Sequence, residues 1–216
     1  MIYKTHLATT AALVSGGLYI NQQIALAKHE IFPKYPLVQK SISYINDWFS
    51  QYIFHTDWDV HRSMPLLTSK IYIFSFILMA CIGALMPDID HPNSKVGRYL
   101  PKCITNAIPH RGPTHTIYAV MLLYFCSVWL MHLELATASR LMAAFALGYF
   151  CHIIEDKYSY ESINLFWPIP MKKKYSVFRY KTGGKVESVI FYLSSTLFIV
   201  SLFHWLFGSN FVRFIA

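Results

Sequence analysis

Five apolar stretches, at residues 7–27, 69–87, 116–132, 140–156 and 188–208, dominate the chain. Each is near the ~20 residues a helix needs to cross the hydrocarbon of a bilayer. In that solvent only helices and closed barrels satisfy the backbone polar groups. The pattern therefore predicts an all-α, polytopic membrane protein with about five transmembrane helices, forming a single membrane-embedded domain over residues 1–216. Composition agrees: 55% of the residues are hydrophobic and 14% are charged, against roughly 25% charged in an average soluble domain. Disordered and low-complexity chains are excluded by the same figures. The first stretch is the weakest. Asn21, Gln22 and Gln23 interrupt it, and Ala25-Leu26-Ala27 resembles a signal-peptidase site. Its small residues Ala8, Ala11, Ala12, Ser15 and Gly16 suit close helix packing, which favours a retained helix over a cleaved signal.

Basic residues set the expected orientation, because cytoplasmic loops are enriched in Lys and Arg. With five spans, the N-terminus and the loops 88–115 and 157–187 share one face and carry twelve Lys and Arg, whereas the opposite face carries seven. The N-terminus is expected inside and the C-terminus outside. The net charge of +8 then reflects loops at a membrane. No nucleic-acid-binding motif accompanies it, so no nucleic-acid partner is expected. Cys81, Cys103, Cys126 and Cys151 show no zinc-ribbon or disulfide spacing and read as reduced packing residues.

Chemistry concentrates at the ends of the apolar stretches that share the first face. Met86-Pro87-Asp88-Ile89-Asp90-His91-Pro92 places two carboxylates and an imidazole within four residues. If the segment is extended, Asp88 and Asp90 point the same way. Hard oxygen and borderline nitrogen donors suit a divalent metal; the competing reading is a helix stop with solvated acids. His110-Arg111-Gly112-Pro113-Thr114-His115-Thr116 precedes the third stretch. There Thr114 is the expected N-cap, with His115 in the first helical turn and His110 just before it. Arg111 is a poor metal ligand but a good fork for phosphate or carboxylate, and Gly112 would let a substrate or backbone approach. In the fourth stretch, spacing by four puts Gly148, His152 and Asp156 on one face, with Gly148 leaving room for an ion and Glu155 turned elsewhere. The competing reading here is a His–Asp hydrogen bond at the membrane edge. His6 and Glu187 begin the first and fifth stretches on the same face. His29, His55, His61, Asp57, Asp59 and His204 fall on the other side or in the long 28–68 loop, so the metal-like His55-Thr56-Asp57-Trp58-Asp59 is expected on the wrong face.

Taken together, Met-Pro-Asp-Ile-Asp-His-Pro at 86–92, His-Arg-Gly-Pro-Thr-His-Thr at 110–116 and Gly-Tyr-Phe-Cys-His-Ile-Ile-Glu-Asp at 148–156 resemble the YdjM-like family of bacterial inner-membrane metal-dependent hydrolases. The resemblance extends to Thr5-His6, to Phe166-Trp167-Pro168 and to Tyr180-Lys181-Thr182-Gly183-Gly184 before Glu187. It departs at Ser159, where the family more often has Thr, and at Ser162, where it more often has Gly. By this resemblance Asp88, Asp90, His91, His110, His115, His152 and Asp156 match the polar signature, and His6 and Glu187 match positions of the same types. A fainter similarity, of histidines and aspartates on helices, reaches zinc-dependent phospholipases C and single-strand nucleases.

The expected function is hydrolysis of a phosphoester or related bond of a membrane lipid or lipid-linked substrate. Metal-activated water would do the work, at the cytoplasmic face of a bacterial inner membrane. His6, Asp88, Asp90, His91, His110, His115, His152, Asp156 and Glu187 would be the metal ligands. Asp88, Asp90 and His115 would act with Arg111 in catalysis. So many donors exceed what one catalytic zinc takes, so two or three divalent ions are expected, Zn first, with Mn, Fe or Mg as alternatives. The alternative is a non-catalytic metal-binding membrane protein, regulatory or scaffolding, or a divalent-ion transporter. A transporter would place its ionisable residues near mid-helix.

Overall fold

The computed structural model describes residues 3–30, 66–94, 96–99, 101, 109, 111–159, 163–169 and 180–215. His110, His55, Asp57, Asp59, His61, Ser162 and the Lys172-Lys173-Lys174 run lie outside the described residues. Five long helices carry the fold: α1 (Tyr3–Glu30), α2 (Leu66–Leu85), α3 (Ile117–His132), α4 (Ala136–Tyr158) and α5 (Lys185–Ile215). Three of them enclose the apolar stretches 7–27, 140–156 and 188–208, while the stretches 69–87 and 116–132 overrun α2 and α3 by two residues and one residue. Among the described residues the only β pairing is an isolated bridge between Ser159 and Tyr180.

Among the described residues, three stretches are long and apolar enough to cross a membrane: Ile71–Asp90, Ala136–Tyr158 and Lys185–His204. Ile117–His132 is apolar but shorter. Its 16 residues extend about 24 Å, less than the roughly 30 Å of hydrocarbon in a typical bilayer. Helix α1 has 28 residues and is long enough, but Thr9, Thr10 and the Asn21-Gln22-Gln23 run dilute its hydropathy. It is nonetheless one unbroken helix, packed against α2, α4 and α5. Ala11, Val14 and Leu18 of α1 form the main core with Ile73, Phe76, Ile77 and Ala80 of α2 and Ala144 of α4.

Helix α4 is the hub, in contact with α2, α3 and α1. Its approach to α2 is close because both helices have glycine at the crossing. A Cβ on Gly148 would stand 1.8 Å from the Ala80 carbonyl oxygen, and one on Gly83 would stand 2.1 Å from that of Phe145. Gly148 therefore serves helix contact, the small-residue packing typical of membrane helices, and not the space above an ion that its spacing from His152 suggested. Between α3 and α4, the Ser139 hydroxyl donates to the Ser127 carbonyl at 2.8 Å.

Candidate metal centre

The chain runs back and forth, so the start of α1, the end of α2, the start of α3, the end of α4 and the start of α5 meet at one end of the bundle. Each contributes polar side chains there. His6, Asp90, His115, His152, Asp156 and Glu187 are all buried, whereas Asp88 retains 27% side-chain exposure. Buried ionisable groups at a membrane boundary are costly unless they are paired or coordinate an ion.

After Leu85 the chain does not continue extended as expected. Pro87–Asp90 forms a 3-10 turn, and its tighter winding sends the two carboxylates to opposite sides of one imidazole. Asp88 Oδ1 lies 3.8 Å from His115 Nε2, and Asp90 Oδ2 lies 3.4 Å from His115 Nδ1. Asp90 also accepts the Arg111 N–H at 3.0 Å and the Thr114 hydroxyl at 2.6 Å. It thus pins the loop that carries His115. Arg111 takes the left-handed conformation, φ 61°, uncommon for a residue with a side chain. A second 3-10 turn, Pro113–His115, follows. The N-cap of α3 is consequently Thr116, whose hydroxyl accepts the Ala119 N–H at 3.3 Å. Thr114, the expected cap, instead holds Asp90, because the extra turn shifts the helix start by two residues. Gly112 does serve a close backbone approach, since a Cβ there would stand 2.7 Å from the Pro109 carbonyl oxygen. The turn after α4 clasps the same region, with the Leu165 carbonyl accepting the Ile117 N–H at 2.9 Å.

From α4, His152 and Asp156 face the cluster as their spacing predicted. The His152 Nδ1 donates to the Ala84 carbonyl at 2.7 Å, leaving Nε2 as the acceptor-type nitrogen. No hydrogen-bond partner reaches that Nε2 among the described residues. It sits 3.6 Å from Asp88 Oδ1 and 3.7 Å from Asp156 Oδ2. His115 Nε2 is likewise 3.7 Å from Asp156 Oδ2. The other oxygen of Asp156, Oδ1, is 3.6 Å from His6 Nε2. Two sets of donors lie within reach of an ion: His6, His152 and Asp156, and Asp88, His115 and His152. Donors bound tetrahedrally at about 2.0–2.1 Å are roughly 3.4 Å apart. Separations of 3.6–3.8 Å between two imidazoles and two carboxylates therefore need little contraction to hold a cation, and a buried acceptor nitrogen with no donor is what such an ion would satisfy. The residues fit a divalent metal.

Not every sequence candidate joins these sets. Asp90 stands behind His115. The His91 Nδ1 accepts the Asn93 N–H at 3.2 Å. Glu187 is buried and accepts the Gly183 N–H at 2.6 Å, closing the turn that opens α5; Gly183 needs its positive φ of 75° for that turn. The Arg111 Nη2 lies 3.9 Å from Asp156 Oδ2, beside the donors. His204 packs edge-on against Tyr19, ring centroids 4.6 Å apart, a packing role in keeping with its expected exclusion. Glu155, set aside by helical spacing, contacts both His6 and Thr9. No helical wheel of α4 alone could find it, because its partner comes from α1.

His115 lies between the membrane-spanning stretches, and its protonation shows the field of the site. Burial disfavours the imidazolium, but the Asp88 and Asp90 carboxylates outweigh it and raise His115 from the ordinary 6.5 to about 9.

The family described as YdjM inner membrane protein matches residues 60–212. The chain belongs to this family. Among curated relatives, the uncharacterized protein YvsG of Bacillus subtilis is 28% identical over 148 residues, 63% of this chain and 89% of YvsG. The inner membrane protein YdjM of Escherichia coli is 29% identical over 114 residues, 51% of this chain and 58% of that protein, and the YdjM of Shigella flexneri matches to the same extent. No solved structure matches. Family membership and the apolar helices together place the chain in a membrane. Asp88, His115, His152 and Asp156 lie inside the matched stretch, and His6 lies outside it.

Proposed function

We propose that the chain is a membrane-bound, metal-dependent hydrolase that cleaves a phosphoester or related bond of a lipid or lipid-linked substrate at the cytoplasmic face of the inner membrane. The observation that carries this reading is that His115 and His152 each approach both Asp88 and Asp156, with Asp88 alone among the four partly open to the outside. A catalytic metal keeps a coordination position for water or substrate, by using three protein donors or by expanding to five, and the exposed side of Asp88 is where that position would open.

In this reading Asp88, His115, His152 and Asp156 hold a divalent ion. Asp156 Oδ1 and His6 Nε2 offer a neighbouring position for a second. One His152 nitrogen cannot serve two ions, because its other nitrogen is committed to Ala84. A divalent ion supplies Lewis acidity, acidifying water and withdrawing charge from a phosphoryl oxygen. Asp90 keeps His115 turned with Nε2 inward. The Arg111 guanidinium, held beside Asp156, faces charge that builds on the substrate. The position of the site at one end of the bundle suits a headgroup at the membrane surface, and it argues against a transporter, whose ionisable groups would sit at mid-depth.

The test is metal content and turnover measured together. Purified wild-type protein should contain Zn, Mn or Fe by elemental analysis and should release water-soluble phosphate from vesicles containing phosphatidylglycerol or a polyprenyl diphosphate. His152→Ala should lose both. Full metal with no turnover on either lipid would favour a non-catalytic metal protein. Labelling of a Ser94→Cys variant by an impermeant thiol reagent in intact cells would overturn the cytoplasmic placement.

A further inference from the structure

His6 enters the cluster from α1, outside the stretch that matches the family, and two side chains from α4, Glu155 and His152, hold it there. Glu155 Oε2 lies 2.6 Å from His6 Nδ1, and the Thr9 hydroxyl, one turn along α1 from His6, donates to Glu155 Oε1. Behind it, the Tyr180 hydroxyl donates to the Glu155 carbonyl oxygen at 3.0 Å, tying this turn of α4 to the segment that leads into α5. His6 is 1% exposed and Glu155 12% exposed. The His6 ring stacks on His152, centroids 4.0 Å apart and planes 19° from parallel. Its position is therefore fixed on its face by His152 and on its Nδ1 edge by Glu155. With the Glu155 oxygen accepting from Nδ1, the lone pair falls on Nε2, which faces Asp156 Oδ1 at 3.6 Å.

We propose that Glu155 is the positioning residue that makes His6 a metal ligand, so that α1 completes the metal centre through a carboxylate–imidazole pair. The inference rests on the metal reading above. Its physical content is the outer partner that ligating histidines commonly have: it fixes the tautomer, aims the ring and raises the basicity of the coordinating nitrogen. His152 has such a partner in the Ala84 carbonyl and His115 in Asp90. Glu155 supplies the third. Thr9 in turn fixes the carboxylate, so α1 carries both the ligand and the clamp on its support.

Titration of the purified, metal-free full chain with Co(II), followed by its visible absorption, tests this. Glu155→Ala should weaken Co(II) affinity by roughly 10- to 100-fold and alter the spectrum as His6→Ala does. The double variant should bind no more weakly than His6→Ala alone. Glu155→Gln, whose amide oxygen can still accept from Nδ1, should recover most of the affinity. Unchanged affinity in Glu155→Ala, or a double variant weakened by the product of the two single effects, would overturn the inference. A measurement on the wild-type protein covers the case in which Glu155→Ala does not fold. With 15N-histidine labelling, Cd(II) should move the His6 Nε2 resonance and leave Nδ1 protonated, and a Cd(II)-induced loss of the Nδ1 proton would overturn it. Wild-type protein that takes up neither ion would sink the metal reading itself. Uptake that depends on His152 but not on Glu155 would sink this inference alone.

Discussion

Helices α4 and α5 are both apolar enough to span a bilayer, yet they meet opposite surroundings. Half of the membrane-spanning stretch of α4 is buried within the chain and only 6% of that of α5, although α5 is the more hydrophobic, mean hydropathy 1.8 against 1.3. In water the order would be reversed. In lipid an apolar face has nothing to gain from burial, and it is the polar and small residues that must be enclosed. Helix α4 encloses Ser139, Gly148, His152 and Asp156, while α5 turns Leu193, Leu197, Val200 and Phe203 outward and buries Glu187 at its first turn.

Breaking the α4 side should have the largest effect. Gly148→Val would drive a branched side chain into the Ala80 carbonyl and should cost about 3 kcal/mol or more, read as loss of the folded monomer in detergent. Leu197→Ala on α5, a change of similar size at an exposed position, is the contrast. Next in size, Asp156→Asn should lower bound metal at least tenfold by elemental analysis, because Asp156 faces His6, His115 and His152 at once; retention of full metal would make those contacts purely structural.

The proton on His115 gives an effect of middle size. Its folded value of about 9 stands above the unfolded 6.5, so in the metal-free protein its charge contributes stability fully below about pH 6.5, and that contribution disappears as pH rises through about 9. A metal must displace this proton. Affinity should rise with pH between 6.5 and 9, by up to about tenfold per unit, with protons released on binding. Calorimetry in buffers of different ionisation enthalpy reads this directly, and a flat affinity across that range would refute it.

Smaller still, Thr114→Val removes the hydroxyl that Asp90 accepts and should cost about 1 kcal/mol of stability while weakening metal binding severalfold. Smallest is Leu197→Ala itself, expected within about 0.5 kcal/mol of wild type by thermal unfolding. A large loss there would mean that α5 is covered by another protein surface rather than by lipid.

The helices were legible because twenty apolar residues in a row admit few structures, and His152 and Asp156 because one turn of helix fixes their relation. The loops were not. Asp88 and Asp90 look alike in an extended chain, and only the 3-10 turn assigns one to Nε2 and the other to Nδ1 of His115. Two prolines, Pro87 and Pro113, each at the head of such a turn, were the available signal. Glu155 was missed for another reason: its partners His6 and Thr9 lie 149 and 146 residues away, and no local pattern reports a contact of that range. Gly148 was read as space for an ion, when its neighbour was the backbone of α2.

The order in which the donors occur along the chain also has a meaning in time. Asp88, His115, His152 and Asp156 all precede α5, so a polypeptide emerging from the ribosome holds these four donors before α5 has been made. His6 is made earlier still. An ion captured at that stage would bring the ends of α2, α3 and α4 together first. Helix α5 would then arrive at a formed surface and lie down along α1. On the metal reading, ion capture and membrane assembly would then be steps of one itinerary.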